Sequence, residues 1–410
     1  MRKRINLISL DTPPIKKNPY LLFLTDILTK YYDVSYWGLD KTEEYCNVTM
    51  FHINSIFLNF SKRILRQLSV LFLLLFKSRV VKLYSFTEIK KTATYIAEII
   101  GNNVFLFAKL FHKTNHDDVF FVINAGSLLA LSYLKKIRNI HYCYCIYEVY
   151  PFQYKDTKLL TMSMCLFEKI GIKDSDFVID TGENKISVFI NKIYKLKKVN
   201  VQNILIFPPL VVKYSREKTI YPVKFYYHGA YSTNRGLEDL IYAMKNIDVR
   251  KGRLYFRGMG DFREELEAIV KKCGVNDRVF FLKSVETERL SDAATDFDVG
   301  LTMVKMNVLN HKFAIGFKIM ENMNAGLAII APNSYNLKPM LDKYKVGILY
   351  KDATIDELTR VMSYCIENLE WLDACKQVSK YCVKNIIGRR FQEDKLVQFV
   401  KILSTPNDII

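Results

Sequence analysis

The chain of 410 residues has no apolar run long enough to cross a bilayer. The best candidate is Ile64–Phe76, nearly all apolar only over Leu68–Phe76. A spanning helix needs ~20 such residues, so this run does not span. The start, Met-Arg-Lys-Arg before Ile5–Leu10, has the basic opening of a secretion signal. Its apolar part soon meets Asp11 and two prolines, which is too short for a signal and reads as a first buried strand. Glycine (16) and proline (10) are sparse, and no repeat of solenoid length or low-complexity tract is present. Collagen-like, solenoid and disordered architectures are thereby excluded. The eight cysteines are scattered, and Cys143 and Cys145 have no second pair at zinc spacing. A disulfide framework and a zinc ribbon are both disfavoured, and all eight read as reduced thiols, mostly in the core. In a reduced setting the sequons at Asn47 and Asn59 carry no information.

What is present is an ordinary globular mixture, half hydrophobic and one quarter charged. A chain this long exceeds one usual core, so two domains are expected. The net charge is +18. Residues 1–210 hold 29 basic and 17 acidic side chains, a net of +12, so the excess sits mainly in the first half. A basic face attracts nucleic acid, anionic lipid or phosphorylated small molecules. No long basic run with interleaved aromatics appears, which argues against a nucleic-acid partner.

Short apolar runs alternate with helical stretches throughout. Strands are predicted at Ile5–Leu10, Val34–Trp37, Val119–Ile123, His141–Tyr147 and Phe177–Asp180, with helices at Tyr20–Tyr31, Ser127–Ile137 and Leu159–Gly171. The pattern restarts after the lysine-rich Lys192–Asn203 and Pro208-Pro209. Strands follow at Val223–Tyr227, Arg253–Arg257, Val279–Leu282, Val299–Met303, Leu327–Ala331 and Gly347–Tyr350, and helices at Leu237–Met244, Phe262–Cys273 and Lys318–Met323. Such alternation predicts an α/β fold of two Rossmann-like, doubly wound domains. The expected domains are 1–212 and 213–388, with a last helix in 389–410 that could pack back on the first.

Open parallel sheets bind ligands at the carboxyl ends of their strands. In the second half, Gly229 follows the strand ending at Tyr227, Gly258 and Gly260 follow the strand of Phe256, and Gly316 precedes the helix carrying Lys318 and Glu321. Glycine turns and a helix N-terminus favour an anion such as a diphosphate. Lys318 lies three residues before Glu321 on the same helix face, near the helix start. Arg257 is a further cation at a strand end. Asp174–Asp176 and Asp296–Asp298 form Asp-X-Asp triplets, but each abuts an apolar strand, so no metal site is assigned.

From Gly229 the chain reads G-A-Y-S-T-N-R-G-L-E-D-L-I-Y-A, then L-Y-F-R-G-M-G, R-V-F-F-L-K-S-V, D-V-G-L and F-K-I-M-E-N-M-N-A-G-L-A-I-I. This succession resembles the C-terminal domain of the group 1 (family 4) retaining glycosyltransferases. The first half is similar over Ile140–Pro151 and Phe177–Phe189. The resemblance implies a GT-B fold whose domains face a cleft. It further implies transfer of a sugar, with retention and without metal, from a UDP- or GDP-linked donor to a hydroxyl of a glycan or lipid-linked acceptor, with no other cofactor. Glu321 matches the second glutamate of the family's paired-glutamate motif, which implies hydrogen bonds to the donor ribose. Arg235 matches the basic residue of the phosphate loop, and Ser284 and Val285 fall where the backbone meets the base. The implied donor site is therefore Gly229, Arg235, Gly258, Gly260, Ser284, Val285, Gly316, Lys318 and Glu321, with Glu148, Arg235 and Lys318 as catalytic candidates. Three positions depart from the pattern: Phe313 replaces the first glutamate, Ala230 an arginine and Tyr147 a histidine. They leave open a protein that binds a sugar nucleotide without transferring it. The expected role is surface polysaccharide synthesis on the cytoplasmic face of the plasma membrane. There Ile64–Phe76 and its basic flanks, Lys62, Arg63, Arg66, Lys77, Arg79 and Lys82, would meet an anionic membrane surface.

Overall fold

The computed structural model describes residues 2–10, 15–39, 45–53, 86–138, 140–146, 158–180, 194–196, 199–211, 213–306 and 316–404. The run Ile64–Phe76 with its basic flanks, Tyr147, Glu148 and Phe313 lie outside these residues. The chain divides into two compact units: Met1–Ile204 with Lys395–Ile410, and Leu205–Asp394.

The first unit contains β1 (Arg4–Ser9), α1 (Pro19–Tyr31), β2 (Asp33–Gly38), β3 (Val48–His52), α2 (Phe86–Lys113), β4 (Val119–Ile123), α3 (Leu128–Arg138), β5 (His141–Cys145), α4 (Lys158–Asp174), β6 (Phe177–Asp180) and β7 (Val201–Asn203). Among the described residues the strands form a parallel sheet in the order β3-β2-β1-β4-β5-β6-β7. Helix α1 starts where its sequence says it should. Asn18 accepts hydrogen bonds from the Tyr20 and Leu21 amides at 3.0 and 3.3 Å, and Pro19 needs no amide partner. Strand β5 shows why the run His141–Cys145 is apolar on both sides. Tyr142 and Tyr144 enter one core with Phe120, Val122 and Leu131, while Cys143 and Cys145 are equally buried on the other face.

The second unit contains β8 (Val223–His228), α5 (Leu237–Ala243), β9 (Gly252–Arg257), α6 (Arg263–Cys273), β10 (Val279–Leu282), α7 (Leu290–Ala294), β11 (Val299–Leu301), α8 (Phe317–Asn324), β12 (Ala328–Pro332), α9 (Leu337–Tyr344), β13 (Gly347–Tyr350), α10 (Ile355–Glu367) and α11 (Leu369–Cys382). Its sheet is parallel, in the order β10-β9-β8-β11-β12-β13. Both faces are covered. Val223, Phe225 and Tyr227 enter one core, whereas Tyr226 stacks with Phe297 at 4.3 Å in another. Helix α6 stops at Gly274, in the left-handed conformation at φ 66°. The last helix, α12 (Arg389–Ser404), runs from Lys395 onward in the first unit, and within that unit the Phe399 ring stands edge-on to Phe121 and Phe177.

The strand order reverses at β1/β4 in one sheet and β8/β11 in the other, the positions where open α/β sheets bind ligands. Two strands absent from the sequence reading, β3 and β7, are edge strands. Their sequences, VTMFH and VQN, bury little, so no apolar alternation marks them. Strand β11 also ends at Leu301, shorter than the predicted Val299–Met303, because Tyr350 takes over the backbone that follows. Its hydroxyl lies 3.1 Å from the Thr302 and 3.2 Å from the Val304 carbonyl oxygens, and it accepts from the Val304 amide.

Three of the four triplet aspartates are engaged by protein donors. Asp298 is fully buried against Arg216 at 2.5 Å and Lys376 at 3.2 Å, and accepts the Lys224 amide. Asp176 pairs with Lys135 and accepts the Tyr142 amide, while Asp174 accepts from Ser132. All eight cysteines are free thiols; Cys46 is exposed, Cys165 and Cys273 are half-buried, and the other five are buried. No helix among the described residues is long and apolar enough to cross a membrane.

Candidate active site

The registers His228 to Arg257 and Arg257 to Leu282 bring the carboxyl ends of β8, β9 and β10 to one level. The loops that leave them lie side by side. The Gly229 amide donates to the Arg257 carbonyl, and the Tyr231 amide to that of Met259, both at 2.9 Å. A methyl group on Gly258 would sit 2.0 Å from the Gly229 carbonyl oxygen, and one on Gly260 would sit 2.2 Å from that of Tyr231. These two glycines thus allow one loop to lie directly on the other, a packing role that spacing alone did not reveal.

Gly229, at φ 129°, makes room for a cation. A methyl there would fall 2.3 Å from Lys318 Cε and 2.9 Å from its Nζ. Lys318 belongs to the first turn of α8, which follows Gly316, has no side-chain cap and holds no acidic residue in that turn. No side chain of the turn therefore competes with an anion at the positive end of this helix. Gly316 itself has room for a side chain, its nearest neighbour being Thr302 Cγ2 at 3.8 Å, so close packing does not require glycine at this position.

The Lys318 ammonium lies 5.9 Å from the Tyr227 ring centre. Desolvation, aided by the nearby Arg235 charge and opposed by Glu321, pushes its pKa down to about 8. Arg235 closes a short 3-10 turn, Thr233–Arg235, before α5. Among the described residues, the side chains of Arg235 and Lys318 make no ion pair or hydrogen bond. Two like charges held together and half-buried are destabilising unless an anion joins them.

Arg257, the other cation considered, is committed elsewhere. Its guanidinium donates to the Lys283 carbonyl at 2.7 Å and lies over the Tyr226 ring. It braces the exposed stretch Lys283–Ser284, with Val285 half-buried beyond it. Ser284 and Val285 thus stand two strands from Gly229 along the same edge, roughly 10 Å at ordinary strand spacing. That separation suits a base at one end and a diphosphate at the other.

Glu321, 5% exposed, sits one helical turn after Lys318. Its Oε2 lies 2.7 Å from Nε2 of His228, a residue the sequence reading passed over. His228 is the last residue of β8 and directly precedes Gly229. A polar residue ending an otherwise buried strand was the available signal. The structure therefore gathers Gly229, Arg235, Gly258, Gly260, Lys318 and Glu321 around one sheet edge, adds His228, and leaves Ser284 and Val285 further along it. Ala230 is exposed, and its carbonyl accepts from the Tyr227 hydroxyl.

Residues 215–382 match the family model of the glycosyl transferases group 1. No curated protein matches the chain. Among solved structures, sucrose-phosphate synthase from Thermosynechococcus elongatus is similar at 15% identity and TM-score 0.71, over 98% of this chain and 99% of that one. HepE from Anabaena, solved in complex with UDP, is similar at 12% identity and TM-score 0.66, over 97% and 99%. WaaG, described as a glycosyltransferase involved in lipopolysaccharide biosynthesis, is similar at 12% identity and TM-score 0.62, over 95% and 98%. The chain has the GT-B fold over nearly its whole length, and its match to the glycosyl transferases group 1 model lies on the unit that holds the site.

Proposed function

We propose that the second unit binds a nucleoside diphosphate sugar and that the enzyme transfers the sugar, with retention and without a metal, to a hydroxyl of a glycan or lipid-linked acceptor in surface polysaccharide synthesis. The observation that carries this reading is the pair of cations, Arg235 and Lys318, that have no ion pair or hydrogen bond among the described residues, beside the Gly229 turn and the start of α8, which has no side-chain cap. A diphosphate supplies the missing charge. As the bond from sugar to diphosphate breaks, negative charge grows on the departing oxygen, and fixed cations stabilise that growth more than they stabilise the ground state. Glu321 accepts hydrogen bonds from the ribose hydroxyls, and the stretch at Ser284 and Val285 meets the base. Metal independence is supported by Asp174, Asp176 and Asp298, whose carboxylates are already engaged by protein donors.

UDP is the first donor nucleotide to test, because HepE is described with UDP and with UDP-glucose. A thermal-shift series with UDP, GDP, ADP and CMP sugars should show stabilisation by one class, which Glu321→Gln reduces. Absence of any stabilisation refutes the donor site. A second reading, binding without transfer, is favoured by the exposed Ala230 where the family carries arginine. Sugar release or transfer over many turnovers rejects it.

We further propose that the first unit works on the cytoplasmic leaflet. Its support is the basic excess of residues 1–210 and the apolar groove between α2 and α3, where Val104, Tyr133 and Ile137 are exposed. Failure to sediment with anionic vesicles at low salt would remove this assignment.

A further inference from the structure

We propose that His228 is a positioning residue for the donor ribose, acting through Glu321; this rests on the reading that Glu321 meets that ribose. The imidazole is 1% exposed at the end of β8. Its plane is held by Tyr226, whose ring stacks at 5.3 Å and 25° and is itself stacked on Phe297 at 4.3 Å. An ionised Glu321 can only accept, so the contact at 2.7 Å places a proton on Nε2 of His228. With one oxygen drawn to a fixed donor, the carboxylate loses its rotational freedom and presents Oε1 in a set direction.

The other ring nitrogen makes the case that the histidine serves function rather than packing. Nδ1 is buried without a partner among the described residues. A buried polar atom left unsatisfied costs stability, and an apolar side chain here would avoid that cost. What an apolar side chain lacks is the Nε2–H donor to Glu321. The remaining groups around this pair are Lys318 and Arg257. Lys318 sits close enough to Glu321 to feel its charge, and Arg257 lies over the Tyr226 ring, but neither makes an ion pair with Glu321. The hydrogen bond from His228 is therefore what orients the carboxylate among the described residues.

The test is calorimetry of the full chain with UDP, 2′,3′-dideoxy-UDP and inorganic pyrophosphate. Wild type should prefer UDP to the dideoxy compound. His228→Leu should weaken UDP about ten-fold, in line with a lost charge-assisted contact, while pyrophosphate binding stays within about two-fold. The preference for UDP over dideoxy-UDP should shrink accordingly. His228→Gln, which keeps an N–H at similar reach, should recover most of the loss. Adding His228→Leu to Glu321→Gln should cost nothing further, because both remove the same arrangement. Equal loss of UDP and pyrophosphate in His228→Leu, or UDP binding unchanged, overturns the role. Preference intact in wild type but untouched by His228→Leu overturns the role alone. No preference in wild type overturns the ribose reading of Glu321 and this inference with it.

Discussion

Replacing Lys318 with Met should stabilise the free protein and cripple donor binding, opposite effects with one cause. Burial and the Arg235 charge lower the pKa of Lys318 from 10.5 to about 8. At ~1.4 kcal/mol per unit, the charged form is penalised by about 3 kcal/mol, a ceiling that screening at the accessible part of the side chain reduces to about 1–2 kcal/mol. The sign follows from proton counts. Between pH 8 and 10.5 the unfolded chain holds a proton that the native lysine has lost, so stability rises with pH across that window. Below pH 8 both states are protonated and the full penalty persists. At pH 7, Lys318→Met removes the charge and keeps most of the apolar stem. Melting should rise by roughly 2–4 °C for each kcal/mol regained in a unit of this length. UDP should then bind about 10–100-fold more weakly, the worth of a charge-assisted contact. Wild-type affinity should also decline above pH 8 as Lys318 deprotonates, a slope missing from the variant. Differential scanning fluorimetry and calorimetry from pH 7 to 10 read both arms. A lower melting temperature together with unchanged UDP affinity would refute the reasoning, because it would make Lys318 a structural residue with no anion to meet.

Gly258→Ala should abolish donor binding and lower the melting temperature, since its methyl would stand 2.0 Å from the Gly229 carbonyl oxygen and push the two loops apart; wild-type UDP affinity in this variant would contradict it. Asp298→Asn should destabilise the second unit by about 3–5 kcal/mol, because fully buried Lys376 loses its nearer carboxylate and keeps only Asp373 at 3.8 Å. Urea denaturation should show that loss, and Asp298→Asn with Lys376→Met should recover part of it. Sugar transfer should survive EDTA; complete loss that Mg²⁺ or Mn²⁺ restores would reject the metal-independent mechanism.

The two-sheet architecture was legible in the chain because strands buried on both faces read as short continuous apolar runs, such as VFFVI at β4, whatever their partners. The same holds for Lys318 and Glu321, whose separation on one helix face is fixed by the helix itself. The edge strands β3 and β7 were not legible, because half-buried strands need no apolar pattern. Nor was the reason for Gly258 and Gly260. Spacing marks a turn, while the need for a missing side chain arises only when a second loop, the one at Gly229–Tyr231, lies against it. His228 belongs to the same class. Strand periodicity puts it on the face of Tyr226, but its partner Glu321 is 93 residues away and meets it only because α8 packs behind that face. Local geometry, a matter of backbone period and turn chemistry, is what this sequence determined by itself. Which charges lie close, which lose their water and which remain without a partner depended on the crossovers that bring distant strand ends to one edge, and the tertiary structure alone decided them.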